Sequence, residues 1–109
     1  MEDKLILVYV TCSSEEEAKK IAKALLENKL SACVNIYTNV ISMYWWEGKI
    51  EESKESILFI KTRSSLYEKV KQKILELHSY TCPCIVQLSE IKEGIECFIN
   101  WLFKETEKS

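Results

Sequence analysis

The sequence predicts an α+β sandwich, a single sheet with helices packed on it, and three observations predict it. Apolar residues repeat with a period of two in some stretches and of 3.6 in others. Serine-to-glutamate capping patterns stand ahead of the helical stretches, and the segments follow in the order β-α-β-β-α-β-α. The 109 residues, 47% of them hydrophobic, fit one domain covering 1–109. A chain of that size buries roughly two-thirds of its unfolded surface. With two glycines and one proline it shows no linker or low-complexity stretch.

Leu5 to Cys12 is rich in β-branched and aromatic residues and reads as a strand whose two alternating faces, Leu5/Leu7/Tyr9 and Ile6/Val8/Val10, are both apolar. Ser13 with Glu16, or Ser14 with Glu17, offers a capping box for a first helix. Ala18, Ile21, Ala22, Leu25 and Leu26 form its apolar stripe, and it ends near Asn28. Glu15, Glu16 and Glu17 read as an acidic first turn that complements the helix dipole. Ser31 to Trp46 is extended with a bend at Asn39, and a Glu47-Gly48 turn leads to a second extended stretch at Lys54 to Thr62. Ser65 with Glu68 starts a second helix that ends around His78. Ile85 to Leu88 forms the last strand, Ile95 to Leu102 a third helix, and Lys104 to Ser109 a charged tail that frays.

This is the split βαβ order of a ferredoxin-like (βαββαβ) sandwich with a long hairpin between its second and third strands and an extra C-terminal helix. Right-handed crossovers put the first two helices on one face of the sheet and leave the other bare. The first strand is apolar on both sides, and so is the third, where Ile57 and Phe59 alternate with Leu58 and Ile60. Sixteen residues from Ser31 to Trp46 would extend roughly 53 Å, against a globule roughly 34 Å across. The strand must break at a bulge or run on into a neighbouring subunit. Its tip carries Met43, Tyr44, Trp45 and Trp46, an aromatic load that suits an oligomer interface. The alternative folds these rings under the third helix to complete a monomeric core. An oligomer would be closed and cyclic, since an open head-to-tail array makes filaments.

Composition narrows function. The longest apolar run near the start, Leu5 to Val10, is far short of the ~20 residues that span a bilayer. We therefore expect neither export nor membrane insertion. A net charge of −2 and a pI near 5.5 give no attraction for nucleic acid or anionic lipid. Five cysteines, an odd set, argue for reduced thiols and a cytoplasmic location. No Walker loop, nucleophile elbow or Gly-rich dinucleotide turn is present, and the expectation is that the protein is not an enzyme. The one arginine, Arg63, reads as an ion-pair partner. The one histidine, His78, has two readings. At a helix C-terminus it can bond a free carbonyl. Joined to Cys82 and Cys84 it forms an H-x3-C-x-C cluster whose imidazole and thiolates suit a soft or borderline metal such as Cu(I) or zinc.

Three segments together resemble the CutA divalent-cation-tolerance family: Lys29-Leu30-Ser31-Ala32-Cys33-Val34-Asn35, Tyr44-Trp45-Trp46-Glu47-Gly48-Lys49-Ile50 and His78-Ser79-Tyr80-Thr81-Cys82-Pro83. Asn100-Trp101-Leu102 fits the usual ending. The resemblance implies a homotrimer whose hairpins intertwine through Tyr44, Trp45, Trp46 and Glu47, with clefts between subunits. It implies a role in tolerance of copper or another divalent cation, no required cofactor, and similarity in shape to PII signalling proteins. The family's H-P-Y-x-x-P-E segment reads His78-Ser79-Tyr80-Thr81-Cys82-Pro83-Cys84 here, so its carboxylate becomes Cys84. The cysteine that copper-binding bacterial members place before the strand-end threonine is Val10. His78 is then the one metal ligand that transfers directly, with Cys84 and Cys82 as added thiols. A second reading, a PII-like module for a small anion or partner peptide, takes Lys49, Lys61 and Tyr80 as candidate contacts.

Overall fold

The computed structural model describes residues 3–107, so the last two residues of the expected fraying tail lie outside them. Four strands form one antiparallel sheet in the order β2-β3-β1-β4, with β1 at Leu5–Cys12, β2 at Cys33–Trp46, β3 at Lys49–Arg63 and β4 at Ile85–Glu90. Three α-helices, α1 (Glu15–Glu27), α2 (Tyr67–Leu77) and α3 (Glu96–Glu105), complete an α+β sandwich in the expected element order.

The core lies on the face that α1 and α2 cover. Ile6, Val8, Val10 and Cys12 of β1 and Leu58 and Ile60 of β3 pack there against Ile21 and Leu25 of α1 and Val70 and Ile74 of α2. The alternate residues of β1, Leu7, Tyr9 and Thr11, are half-buried on the opposite face. There Phe59 meets Tyr9 and Tyr37 edge-on, at centroid distances of 5.6 and 5.4 Å. The α3 helix lies at one end of this second face. Lys61 Nζ sits 5.5 Å from the Phe98 ring centre, and Arg63 stacks over Phe103 and donates to Thr106 Oγ1 at 2.8 Å and to the Phe103 carbonyl. Arg63 also pairs with Asp3 at 3.2 Å, as an ion-pair partner would.

Several elements differ from expectation. β3 begins at Lys49 rather than Lys54, because cross-strand pairing with the aromatic stretch (Tyr44 with Glu51, Met43 with Glu52) extends a ladder through a run that carries no apolar alternation. The Ser65-Glu68 capping box does not form. Residues 64–66 make a 3-10 turn, and Asp3 accepts from the Ser65 N–H and from the Ser64 and Ser65 hydroxyls. Asp3 thus takes the Ser65 N–H that the Glu68 carboxylate of a capping box would accept, and it engages the Ser65 hydroxyl as a donor. Lys104 and Glu105 belong to α3, and Thr106 behind them is buried by the Arg63 clasp.

The hairpin of β2 and β3 positions the site. β2 is interrupted between Tyr37 and Val40, where Asn39 takes a left-handed φ of 58°, and both strands then run on to Glu47 and Gly48 at φ 49° and 79°. The bulge does not end the strand, and the molecule extends 45 × 26 × 25 Å. Ile41, Met43, Trp45 and Trp46 are 62, 67, 73 and 61% exposed. The rings do not fold beneath α3, so the monomeric-core alternative falls. No described helix is long and apolar enough to cross a membrane.

Candidate functional site

Two features meet where the end of β1, the start of α1 and the loop after α2 come together. The first is a donor cluster: ligand atoms of Cys12, Glu17 and His78 all lie within 4.8 Å of one another. Cys12 is the last, buried residue of β1, Glu17 stands in the first turn of α1, and His78 follows α2. Their convergence follows from packing both helices on one face of β1.

The cluster is held by hydrogen bonds. Ser14, the N-cap of α1, accepts from the Glu17 N–H, which selects Ser14 and Glu17 from the two capping boxes the sequence offered. The Glu17 carboxylate accepts from the Ser13 N–H at 2.8 Å, the Ser13 hydroxyl at 3.0 Å and the Ser79 N–H at 2.7 Å. Burial pushes its pKa up, but these bonds from Ser79 and Ser13 outweigh burial and bring it to about 2. The His78 ring is fully buried. Its Nε2 donates to the Thr11 carbonyl at 2.7 Å and its Nδ1 accepts from the Tyr80 N–H at 3.1 Å, partners that assign the neutral Nε2–H tautomer. The ring thus bonds a strand carbonyl rather than a free helix carbonyl, which corrects that expectation. Burial and, after it, the Glu17 and Glu55 charges push the Cys12 thiol up to about 12.

An imidazole, a carboxylate and a thiol suit a borderline cation in donor chemistry. Each is already engaged or protonated, so a cation held there would compete with hydrogen bonds and with a proton. The donor set fits a weakly held ion.

The second feature is a cavity of about 760 Å³ on the other side of Thr11, Ser79 and Tyr80. Ser42, Tyr44 and Trp46 of β2 and Glu55 of β3 form its hairpin wall; cross-strand register puts them on one face. Thr81, Cys82 and Cys84 complete the loop wall, where the Thr11 N–H donates to the Cys84 carbonyl at 3.3 Å. The Tyr80 hydroxyl donates to Glu55 Oε2 at 3.0 Å and ties loop to hairpin, and its ring packs 4.9 Å from His78. Burial first, then the bond to Glu55 and its charge, raise Tyr80 to about 12; burial and Glu55 also raise Cys84.

Tyr80, Cys82, Cys84, Tyr44 and Trp46 therefore share one cavity. His78 lies behind its wall, and among the described residues the three-donor group around it contains Cys12 and Glu17 rather than Cys82 and Cys84. Lys49 pairs with Trp46 beside the turn, and Lys61 Nζ lies 3.8 Å from Cys33 Sγ. Neither lysine lines the cavity. The sequence by itself does not mark Cys12, Glu17 or Glu55 as site residues. A serine-capped glutamate reads as a helix start, and nothing in the sequence shows that the same carboxylate also reaches Ser79.

Comparison with known proteins bears on the whole chain. The family model described as CutA1 divalent ion tolerance protein matches residues 6–105. The divalent-cation tolerance protein CutA of Archaeoglobus fulgidus is 45% identical over 92% of this chain and 96% of its own length. That of Pyrococcus horikoshii is 42% identical over 95% of this chain and all of its own. The solved structure of the A. fulgidus protein, described as periplasmic, superimposes with a TM-score of 0.90 at 44% identity, over 94% of this chain and 99% of that one. CutA1 from Oryza sativa gives a TM-score of 0.93 at 39% identity, over 97% and 96%.

Proposed function

The chain belongs to the CutA1 divalent ion tolerance family, and from that premise we propose that it acts in divalent-cation tolerance, copper foremost, as a closed homotrimer that holds metal weakly at clefts between subunits. It is a cation-tolerance protein and not an enzyme. The observation that carries the cation reading is the gathering of nitrogen, oxygen and sulfur donors from Cys12, Glu17 and His78, with two more thiols, Cys82 and Cys84, exposed on the cavity wall beside it. The exposed thiols meet an incoming ion first, and His78 stands behind them. Support for the trimer comes from the hairpin arm: Tyr44, Trp45, Trp46 and Glu47 project beyond the sandwich, and sister copies would cover them. The odd number of cysteines, five, supports a reducing, cytoplasmic setting as part of this proposal.

Copper titration followed by calorimetry tests the metal reading. Saturable, weak binding is expected in the wild type, with loss of affinity in His78→Ala and in Cys84→Ser. Unchanged stoichiometry and affinity in both variants would remove the proposed site. A second reading, a PII-like small-ligand module, is favoured by the cavity, whose volume suits a small molecule. A ligand bound only by the native state would raise the unfolding temperature.

A further inference from the structure

The cavity wall has one charge and it is negative. Among the residues that line the cavity, Glu55 is the only charged side chain, and no lysine or arginine among the described residues forms a salt bridge with it. The Tyr80 hydroxyl fixes Oε2 at 3.0 Å, which holds the carboxylate in place. The Tyr80 ring stands beside it, the Tyr44 ring leans back towards it through its hydroxyl bond to Ser53 at 3.2 Å, and Trp46 lines the far end of the cavity towards the hairpin tip. Cross-strand register puts Tyr44 and Trp46 on the same side of the hairpin as Glu55, and the Tyr80 hydroxyl bridges to Glu55 from the facing loop.

Aromatic faces carry negative quadrupole charge and attract cations, best when water is partly excluded. A carboxylate within the same walls adds a formal opposite charge, and an anion would find no counter-charge there. The two lysines taken as anion contacts lie elsewhere, Lys61 beside Cys33 and Phe98 and Lys49 at the hairpin turn.

We infer that this cavity, whose hairpin wall would lie at a cleft between subunits, binds a small organic ammonium ion, its cationic head against Glu55 and the Tyr44 and Tyr80 rings and its apolar body along the wall that leads to Trp46. The inference rests on the small-ligand reading of the cavity and runs against its anion form. It requires no ion at Cys12, Glu17 and His78.

Three probes of one shape separate charge from fit: choline, its neutral carbon isostere 3,3-dimethylbutan-1-ol, and the anion 3,3-dimethylbutanoate. Each is titrated into the full chain by calorimetry and by tryptophan fluorescence, with native mass recorded alongside. Choline should bind at least about tenfold more tightly than the neutral isostere, and the anion most weakly. Glu55→Gln should reduce the choline affinity about tenfold and leave the neutral probe unaffected. Tyr44→Leu should weaken choline more than the neutral probe. Equal or better binding of the neutral or anionic probe, or no binding of any probe, would overturn the inference. Should Glu55→Gln fail to fold, the wild-type ranking decides by itself. An intact oligomer without a choline preference sinks this inference alone, whereas a monomer that prefers choline sinks the trimer alone.

Discussion

The backbone N–H of Ser79 donates to Glu17 Oε2 at 2.7 Å, joining positions 62 residues apart. This one bond ties the first turn of α1 to the loop after α2. That loop carries His78, Tyr80, Cys82 and Cys84, so Glu17 sets the position of the wall between the donor cluster and the cavity. The helix-capping residue and the site's anchor are the same side chain.

Replacing Glu17 by Gln keeps the shape and removes the charge from three charge-assisted bonds. We expect a loss of about 2 kcal/mol, read as a lower urea midpoint with an unchanged slope. Faster amide exchange at Ser79 and Tyr80 should accompany it. Wild-type stability together with wild-type exchange at Ser79 would show that the bond does not anchor the loop.

Asp3 gives a pH-dependent prediction. Burial would raise its pKa, but hydrogen bonds from Ser65 and Ser64 and the Arg63 charge outweigh burial and hold it below its ordinary 3.8. A depressed carboxyl contributes stability above its unfolded pKa and loses it as pH falls through the folded value. Asp3→Asn should therefore cost about 1 kcal/mol at pH 7. The gap between variant and wild type should stay level down to roughly pH 5 and close below roughly pH 4. A gap that widens on acidification would contradict the assignment.

The sequence showed some of this plainly. The strand Leu5–Cys12 and the turn at Glu47-Gly48 follow from apolar alternation and a turn pair, and the structure has both where expected. The start of β3 was hidden because Lys49 to Ser53 has no apolar alternation, and only its partner strand makes it extended. Ser65 carries a capping signature, yet a carboxylate distant in sequence takes the role. At the site, Tyr80, Cys82 and Cys84 were legible because they are close in sequence. Cys12, Glu17 and His78 come from three elements, and only packing of α1 and α2 on one face unites them. Lys61 shares a sheet face with Glu55 by parity, but parity does not give position along the strand, and it lies under α3.

Thiol chemistry should divide the cysteines by position. Exposed Cys82 and Cys84, like exposed Cys97, should react with iodoacetamide well before Cys12, with Cys84 slowed by its raised pKa, and Cys12, buried with a pKa of about 12, should resist until the chain unfolds. Peptide mass mapping over time reads the order. Adding copper beforehand should protect Cys82 and Cys84. Labelling of Cys12 ahead of both would mean that the site is open on the opposite side.

A charge on the hairpin arm should separate folding from assembly. Trp45 is 73% exposed and touches no core residue cluster, so Trp45→Glu should leave the circular dichroism of the protomer intact. It should also weaken self-association, since each large apolar side chain buried between copies contributes about 1.5–3 kcal/mol. Loss of the fold itself would place Trp45 inside the protomer's own core.

The account depends most on whether copies of this chain cover the half-bare sheet face and the arm that overhangs it. Sedimentation velocity of the wild type across a dilution series into the low micromolar range measures that directly. A single species at three times the protomer mass, unchanged on dilution, is the predicted result. A folded species at the 12.7 kDa protomer mass throughout the series would contradict it.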